Sequence, residues 1–155
     1  MKLSGALADS PLGRLLRRYA QFCVVGGSGV VVDMAIIYLL ASPSMLGWNL
    51  SLSKAIAAEV AIFNNFVGNE LWTFRGLGGG GNRLAQRLAR LLKFNLICLA
   101  GIGWSVGLLN VEVYWLGLDV YLANFIAIVL VSLWNFFMNL RFGWNTPVKL
   151  RVPPL

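Results

Sequence analysis

The sequence predicts an all-α membrane protein with four transmembrane helices, built as two parallel-related two-helix repeats with short interfacial amphipathic helices beside them. Three observations carry this. Of 155 residues, 58% are hydrophobic and 12% charged, with a mean hydropathy of +0.72, whereas soluble domains carry about 25% charged and about 45–50% apolar residues. Four stretches reach the roughly 20 apolar residues needed to cross a hydrocarbon core. One pattern, N-F-x-x-N, is written twice, as Asn65-Phe66-Val67-Gly68-Asn69 and Asn135-Phe136-Phe137-Met138-Asn139. A soluble all-helical core is disfavoured because little polar sequence remains to cover it.

Residues 1–18 form a basic segment in which Leu12, Leu15 and Leu16 interleave with Arg14, Arg17 and Arg18, the pattern of an interfacial helix. The four-helix domain covers 19–144. Its first span, 19–41, holds Gly26-Gly27-Ser28-Gly29, small residues that permit close helix approach. That span is too long for a cleaved signal and contains Asp33. Ser42-Pro43-Ser44 ends it, and Trp48 stands where an interfacial aromatic belongs.

The second span, 50–74, is followed by a glycine-rich linker, 76–82, with no G-K-[ST] to make it a phosphate loop. Arg83, Arg87 and Arg90 then recur opposite Leu84, Leu88 and Leu91, predicting an amphipathic turn on the inner leaflet. The third and fourth spans are 92–116 and 121–142, with a tail at 145–155.

The net charge of +7 is topological. Lys2, Arg14, Arg17 and Arg18 precede the first span. Arg75, Arg83, Arg87, Arg90 and Lys93 surround the middle loop, and Arg141, Lys149 and Arg151 follow the last span. The first and third loops hold no lysine or arginine; the third carries Glu112 and Asp119. Both termini and the middle loop are therefore expected on the cytoplasmic side, and the charge does not point to nucleic acid.

The repeat extends beyond the asparagines. Leu52-Ser53-Lys54-Ala55-Ile56-Ala57 matches Leu122-Ala123-Asn124-Phe125-Ile126-Ala127, and Arg18–Phe22 resembles Arg90–Phe94. Two spans return the chain to its starting side, so the halves share one orientation about the membrane normal.

Asp33, Lys54, Glu59 and Glu70 lie within or at the ends of spans. At 1.5 Å per residue, Asp33 is roughly 12 Å, Lys54 roughly 6 Å and Glu59 roughly 13 Å below the outer ends of their spans. A charge there costs about 2.5–3.5 kcal/mol on the gentler insertion scale unless paired or wet. Lys54 is thus expected to pair with Asp33 or Glu59, either as a structural ion pair or as the lining of a polar pathway. It also falls within roughly 20° of Asn65 on the helix face.

The pathway reading gives a polar stripe of Lys54, Asn65 and Asn69, with Asn124, Asn135 and Asn139 opposite. Arg75, Lys93 and Arg141 form an inner rim for a phosphate headgroup, or simply snorkel beside belt aromatics. Asn95 and Asn110 are expected to bridge helices. There is no histidine, no C-x-x-C, no H-E-x-x-H and no D-x-D. No catalytic residue, metal site or cofactor is therefore expected, and Cys23 and Cys98 serve as small apolar residues.

Phe22-Cys23-Val24-Val25-Gly26-Gly27-Ser28-Gly29 with Asp33, then Glu59 leading to Asn64-Asn65-Phe66-Val67-Gly68-Asn69-Glu70-Leu71-Trp72-Thr73-Phe74-Arg75, resembles the GtrA family over roughly residues 17–144. Glu70 stands where many relatives place a basic residue. The resemblance implies translocation of a polyprenyl-phosphate-linked sugar across a bacterial or archaeal cytoplasmic membrane, for cell-surface polysaccharide or glycan synthesis. The expected partners are that sugar-lipid, membrane lipids and a separate polyprenyl-phosphate glycosyltransferase. Four spans enclose little space, which favours a homo-oligomer. Two alternatives remain: a non-transporting adaptor that recruits a glycosyltransferase, and a small-solute or cation exporter driven through Glu59 or Asp33.

Overall fold

In a computed structural model, residues 10–77 and 84–144 are described. Lys2, Arg83, Lys149, Arg151, the central linker glycines and the tail 145–155 lie outside the described residues. The chain is a multi-pass membrane protein, with four helices long and apolar enough to span a bilayer.

Helix α1, Pro11–Ala41, starts where Ser10 Oγ accepts from Gly13 N–H at 3.0 Å, with proline pre-set in the first turn. It runs without a break through Arg14, Arg17 and Arg18 into the apolar span. The expected interfacial segment is therefore helical but is the first turns of α1, not a separate element. The residues around Arg18 carry no proline or glycine that would separate them. The helix ends at Ser42, whose backbone is extended before Pro43, and Gly47 takes φ +60° in the turn that follows.

Helix α2, Leu50–Gly68, is capped by Asn49, whose Oδ1 accepts from Ser51 N–H at 3.0 Å and Leu52 N–H at 3.1 Å. It continues as a π-helical turn, Asn69–Thr73, closed by Phe74 N–H donating to Asn69 O at 2.8 Å.

The second hairpin repeats the scheme. Helix α3, Leu84–Asn110, again fuses the basic turn carrying Arg87 and Arg90 to a span, then passes into a π-helical turn at Val111–Trp115. Asp119 caps helix α4, Val120–Met138, accepting from Tyr121 N–H at 3.0 Å and Leu122 N–H at 3.2 Å. A third π-helical turn, Asn139–Gly143, ends α4.

The fold divides between Arg75 and Gly76 into two units, each one helical hairpin. In the first, Val25, Ala57, Ala61 and Phe66 are buried; in the second, Phe94, Ala123, Ala127 and Phe136. Small side chains at the seam let backbones approach, which suits a solvent where apolar burial alone gives helices no preference for each other over lipid.

Candidate functional site

The doubled asparagines act inside their own hairpins. Asn65 sits directly on Gly29 of α1, so that a Cβ there would fall within its carboxamide. In the second hairpin Asn135 packs on Gly101 of α3, and a Cβ there would meet Asn135 Oδ1 at 2.6 Å. The second asparagine of each pair turns back on its own helix. Asn69 Nδ2 donates to Asn65 O at 2.8 Å, and Asn139 Nδ2 to Asn135 O at 2.8 Å.

Each N-F-x-x-N thus joins a glycine contact across the hairpin to the start of a π-helical turn. Such turns widen the backbone ladder and recur at functional sites. Four carboxamide oxygens, on Asn65, Asn69, Asn135 and Asn139, are buried without a donor, and so is Thr73 Oγ1. An acceptor in that condition is costly until a hydroxyl, amine or water reaches it.

At the ends opposite their tips the two hairpins match again. Phe22 meets Phe74 with ring centroids 6.3 Å apart, and Phe94 meets Trp144 at 6.3 Å. Arg75, Lys93 and Arg141 are all exposed. In the second hairpin Lys93 Nζ donates to Phe142 O at 3.5 Å, next to Arg141, so those two cations share the end of the hairpin opposite its tip.

The half of the first hairpin nearer its tip differs. Lys54 Nζ donates to Asp33 Oδ1 at 2.8 Å and Oδ2 at 2.6 Å, joining α2 to α1. The lysine side chain is 56% exposed and the aspartate 20%. The ammonium is therefore paired yet open on one side, where a second anion could approach. Of the two acids expected to serve Lys54, Asp33 receives this bond. Glu59 lies exposed farther along α2, and Glu70 is half-buried in the π-helical turn.

By the repeat offsets, Asp33 and Lys54 correspond to Ser105 and Asn124, so the second hairpin has no such pair. Asn124 is exposed. A further polar bridge escaped sequence reasoning. Asn64 Nδ2 donates to Ser28 Oγ at 3.0 Å, and Ser28 Oγ to Val25 O at 2.7 Å. The place of Asn64 in the second hairpin is taken by Trp134, whose ring lies tilted at 49° against that of Trp104, centroids 5.9 Å apart.

Asn110, expected to bridge helices, instead returns its Nδ2 to Val106 O at 2.7 Å on its own helix. Glu112, read as a loop acid, is buried in the π-helical turn after α3. No sequence signal marks that turn. Among the described residues, no three His, Cys, Asp or Glu side chains are grouped to hold a metal ion.

Two comparisons bear on what this arrangement serves. The family described as GtrA/DPMS, transmembrane domain, matches residues 21–144. The chain is also similar to a dolichol-phosphate mannosyltransferase of Pyrococcus furiosus, 32% identical over 133 residues. That stretch is 83% of this chain but 34% of the relative, so the chain spans about a third of that protein's length.

Proposed function

The chain belongs to the GtrA/DPMS transmembrane-domain family, and on that premise we propose that it moves a polyprenyl-phosphate-linked sugar across the cytoplasmic membrane of a bacterium or archaeon. It does so as a transporter, not an enzyme, and feeds cell-surface polysaccharide or glycan synthesis. A separate glycosyltransferase makes the sugar-lipid on the inner side. The charge distribution supports a cytoplasmic position for both termini and the middle loop. Arg75, Lys93 and Arg141 attract the phosphate there, and the tail stays in lipid.

The observation that carries the reading is the half-open Lys54–Asp33 pair. A lone ammonium at that depth would be expensive, and its carboxylate partner makes it tolerable. A phosphate arriving alongside offers a competing anion, so the ammonium can pass from carboxylate to phosphate without ever being unpaired. Lysine suits this exchange because it is a compact point charge with three rotatable donors. Asn124 at the equivalent place in the other half supplies an amide. The buried oxygens of the asparagine pairs seek donors of the kind sugar hydroxyls provide. A homo-oligomer would complete the path.

The relative's size supports a second reading. A segment similar to this chain lies within a protein named as a mannosyltransferase, and such a segment could simply anchor an enzyme to the membrane. Proteoliposomes containing the purified chain and labelled polyprenyl-phosphate sugar separate the two. The translocase reading expects sugar to become accessible to an external impermeant oxidant faster than in protein-free liposomes, with Lys54→Met reducing the rate to background. Equal rates with and without protein would leave the anchor.

A further inference from the structure

The outer tip of the second hairpin carries an asymmetry that the translocation scheme does not use. Tyr114 is 80% exposed, and Trp115 and Tyr121 are each 85% exposed. These are the three most exposed large hydrophobic side chains among the described residues, and they fall within one short stretch. The aromatic rings near the tip of the first hairpin are less exposed, Tyr38 at 56% and Trp48 at 47%.

Interfacial belts enrich tryptophan and tyrosine at both ends of spans. A belt alone would not concentrate the most exposed rings on one of two repeated tips. Within the same stretch of chain Glu112 is 6% exposed, and its Oε2 has no hydrogen-bond partner.

The backbone holds these groups on a defined scaffold. Val111–Trp115 is π-helical, Leu116 N–H donates to Val111 O at 3.1 Å, and Leu118 N–H to Glu112 O at 3.0 Å. Asp119 then fixes the turn by capping α4 through Tyr121 N–H. The corresponding end of α1 has no π-helical turn. An irregular turn, a buried acceptor without a donor and three rings left in the open thus coincide in about ten residues.

We propose that this tip is a carbohydrate-binding platform which receives the sugar of the lipid on the outer side. Aromatic faces carry negative quadrupole density that suits the C–H face of a pyranose ring. The unpartnered Oε2 of Glu112 can accept a hydrogen bond, so a sugar hydroxyl is a natural donor to it. The proposal rests on the sugar-lipid reading and adds to it where the sugar is recognised.

The test uses the full chain in nanodiscs with short-chain soluble probes: citronellyl-phosphoryl glucose, mannose and galactose, against citronellyl phosphate without sugar. Wild type should bind at least one sugar-bearing probe more tightly than the sugar-free one. Trp115→Ala and Glu112→Gln should each abolish most of that difference, weakening the sugar-bearing probe about tenfold and leaving citronellyl phosphate unchanged. Lys54→Met should weaken both kinds of probe alike.

If wild type prefers the sugar-bearing probe and the tip variants keep the full preference, the platform is overturned while the sugar-lipid reading stands. If wild type binds neither kind of probe, the sugar-lipid reading fails and the platform with it. Trp115→Phe keeps a ring at the position, and its binding should stay near wild type. Loss as large as with alanine would also count against stacking.

Discussion

Replacing Gly29 by alanine tests the contact that closes the first hairpin. The new Cβ would lie 2.5 Å from Asn65 Nδ2 and 2.6 Å from its Cγ, with Oδ1 closer still. Because all three carboxamide atoms are too near, rotation of the amide about its own bond gives no relief. Either χ1 of Asn65 must leave its well or the helices must part.

Overpacking of this kind costs about 1–3 kcal/mol, and the Gly29 contact belongs near the top of that range. Gly101→Ala is milder. Its Cβ meets Asn135 Oδ1 at 2.6 Å but Cγ only at 3.2 Å, so about 1–2 kcal/mol is expected. Gly26 and Gly103 have nothing within 4 Å of an added Cβ. Alanine there should be neutral or gain up to about 1 kcal/mol of helix propensity.

Reversible unfolding of the purified chain in mixed micelles, followed by far-ultraviolet circular dichroism, reads all four on one scale. Asn65→Ala removes the obstructing amide, so Gly29→Ala with Asn65→Ala should recover part of the loss, a coupling of about 1–3 kcal/mol. If Gly29→Ala unfolds together with Gly26→Ala, or if Asn65→Ala restores nothing, the hairpin contact is not what holds α1 to α2.

Lys54→Met should accumulate in the membrane but lose sugar-lipid movement, and Lys54→Arg should retain part of it. If Lys54→Met fails to accumulate and Asp33→Asn rescues it, the lysine is only a counter-ion. In a chain with Cys23 and Cys98 replaced, single cysteines at Gly47 and Leu118 should label with an impermeant thiol reagent on intact cells. Cysteines at Gly79 and Thr146 should not, and the opposite pattern would reverse the orientation. Asn69→Ala and Asn139→Ala each delete one side-chain bond to a helical carbonyl, at a cost of about 1 kcal/mol in the same unfolding assay. Unequal costs well outside that range would show that the two π-helical turns are not equivalent.

The four helices were legible because lipid-length apolar runs leave few alternatives, and the starts of α2 and α4 because Asn49 and Asp119 are cap residues in the right place. The duplication was legible in the asparagines. What those asparagines face was not. Helical periodicity fixes the side of a helix on which Asn65 lies, but a carboxamide suits a polar groove and a glycine surface equally well. Only the packing of α1 against α2 chooses Gly29.

The Lys54 pair was narrowed to two acids by depth, and hairpin geometry decided for Asp33. The basic turns looked separate because charge and hydropathy change abruptly there, whereas the backbone hydrogen-bond ladder is indifferent to side-chain charge. Glu112 was hidden for a related reason. An acid near the end of a span reads as loop, and no residue pattern announces that a π-helical turn will fold it inward.

Gly29 reaches Asn65, and Gly101 reaches Asn135, in the same register, although the second hairpin spans the interval with two fewer residues (29 to 65 against 101 to 135). The length difference is absorbed between the helices, by the turn after Ala41 in one case and by the π-helical end of α3 in the other. Each hairpin is keyed well below its tip, so the register of its two helices does not depend on the length of the tip. Insertions, deletions or whole grafts should be tolerated there and nowhere else along the arms. A duplicated chain with this construction can specialise one hairpin tip while its twin drifts, and neither change need disturb the register of the membrane domain.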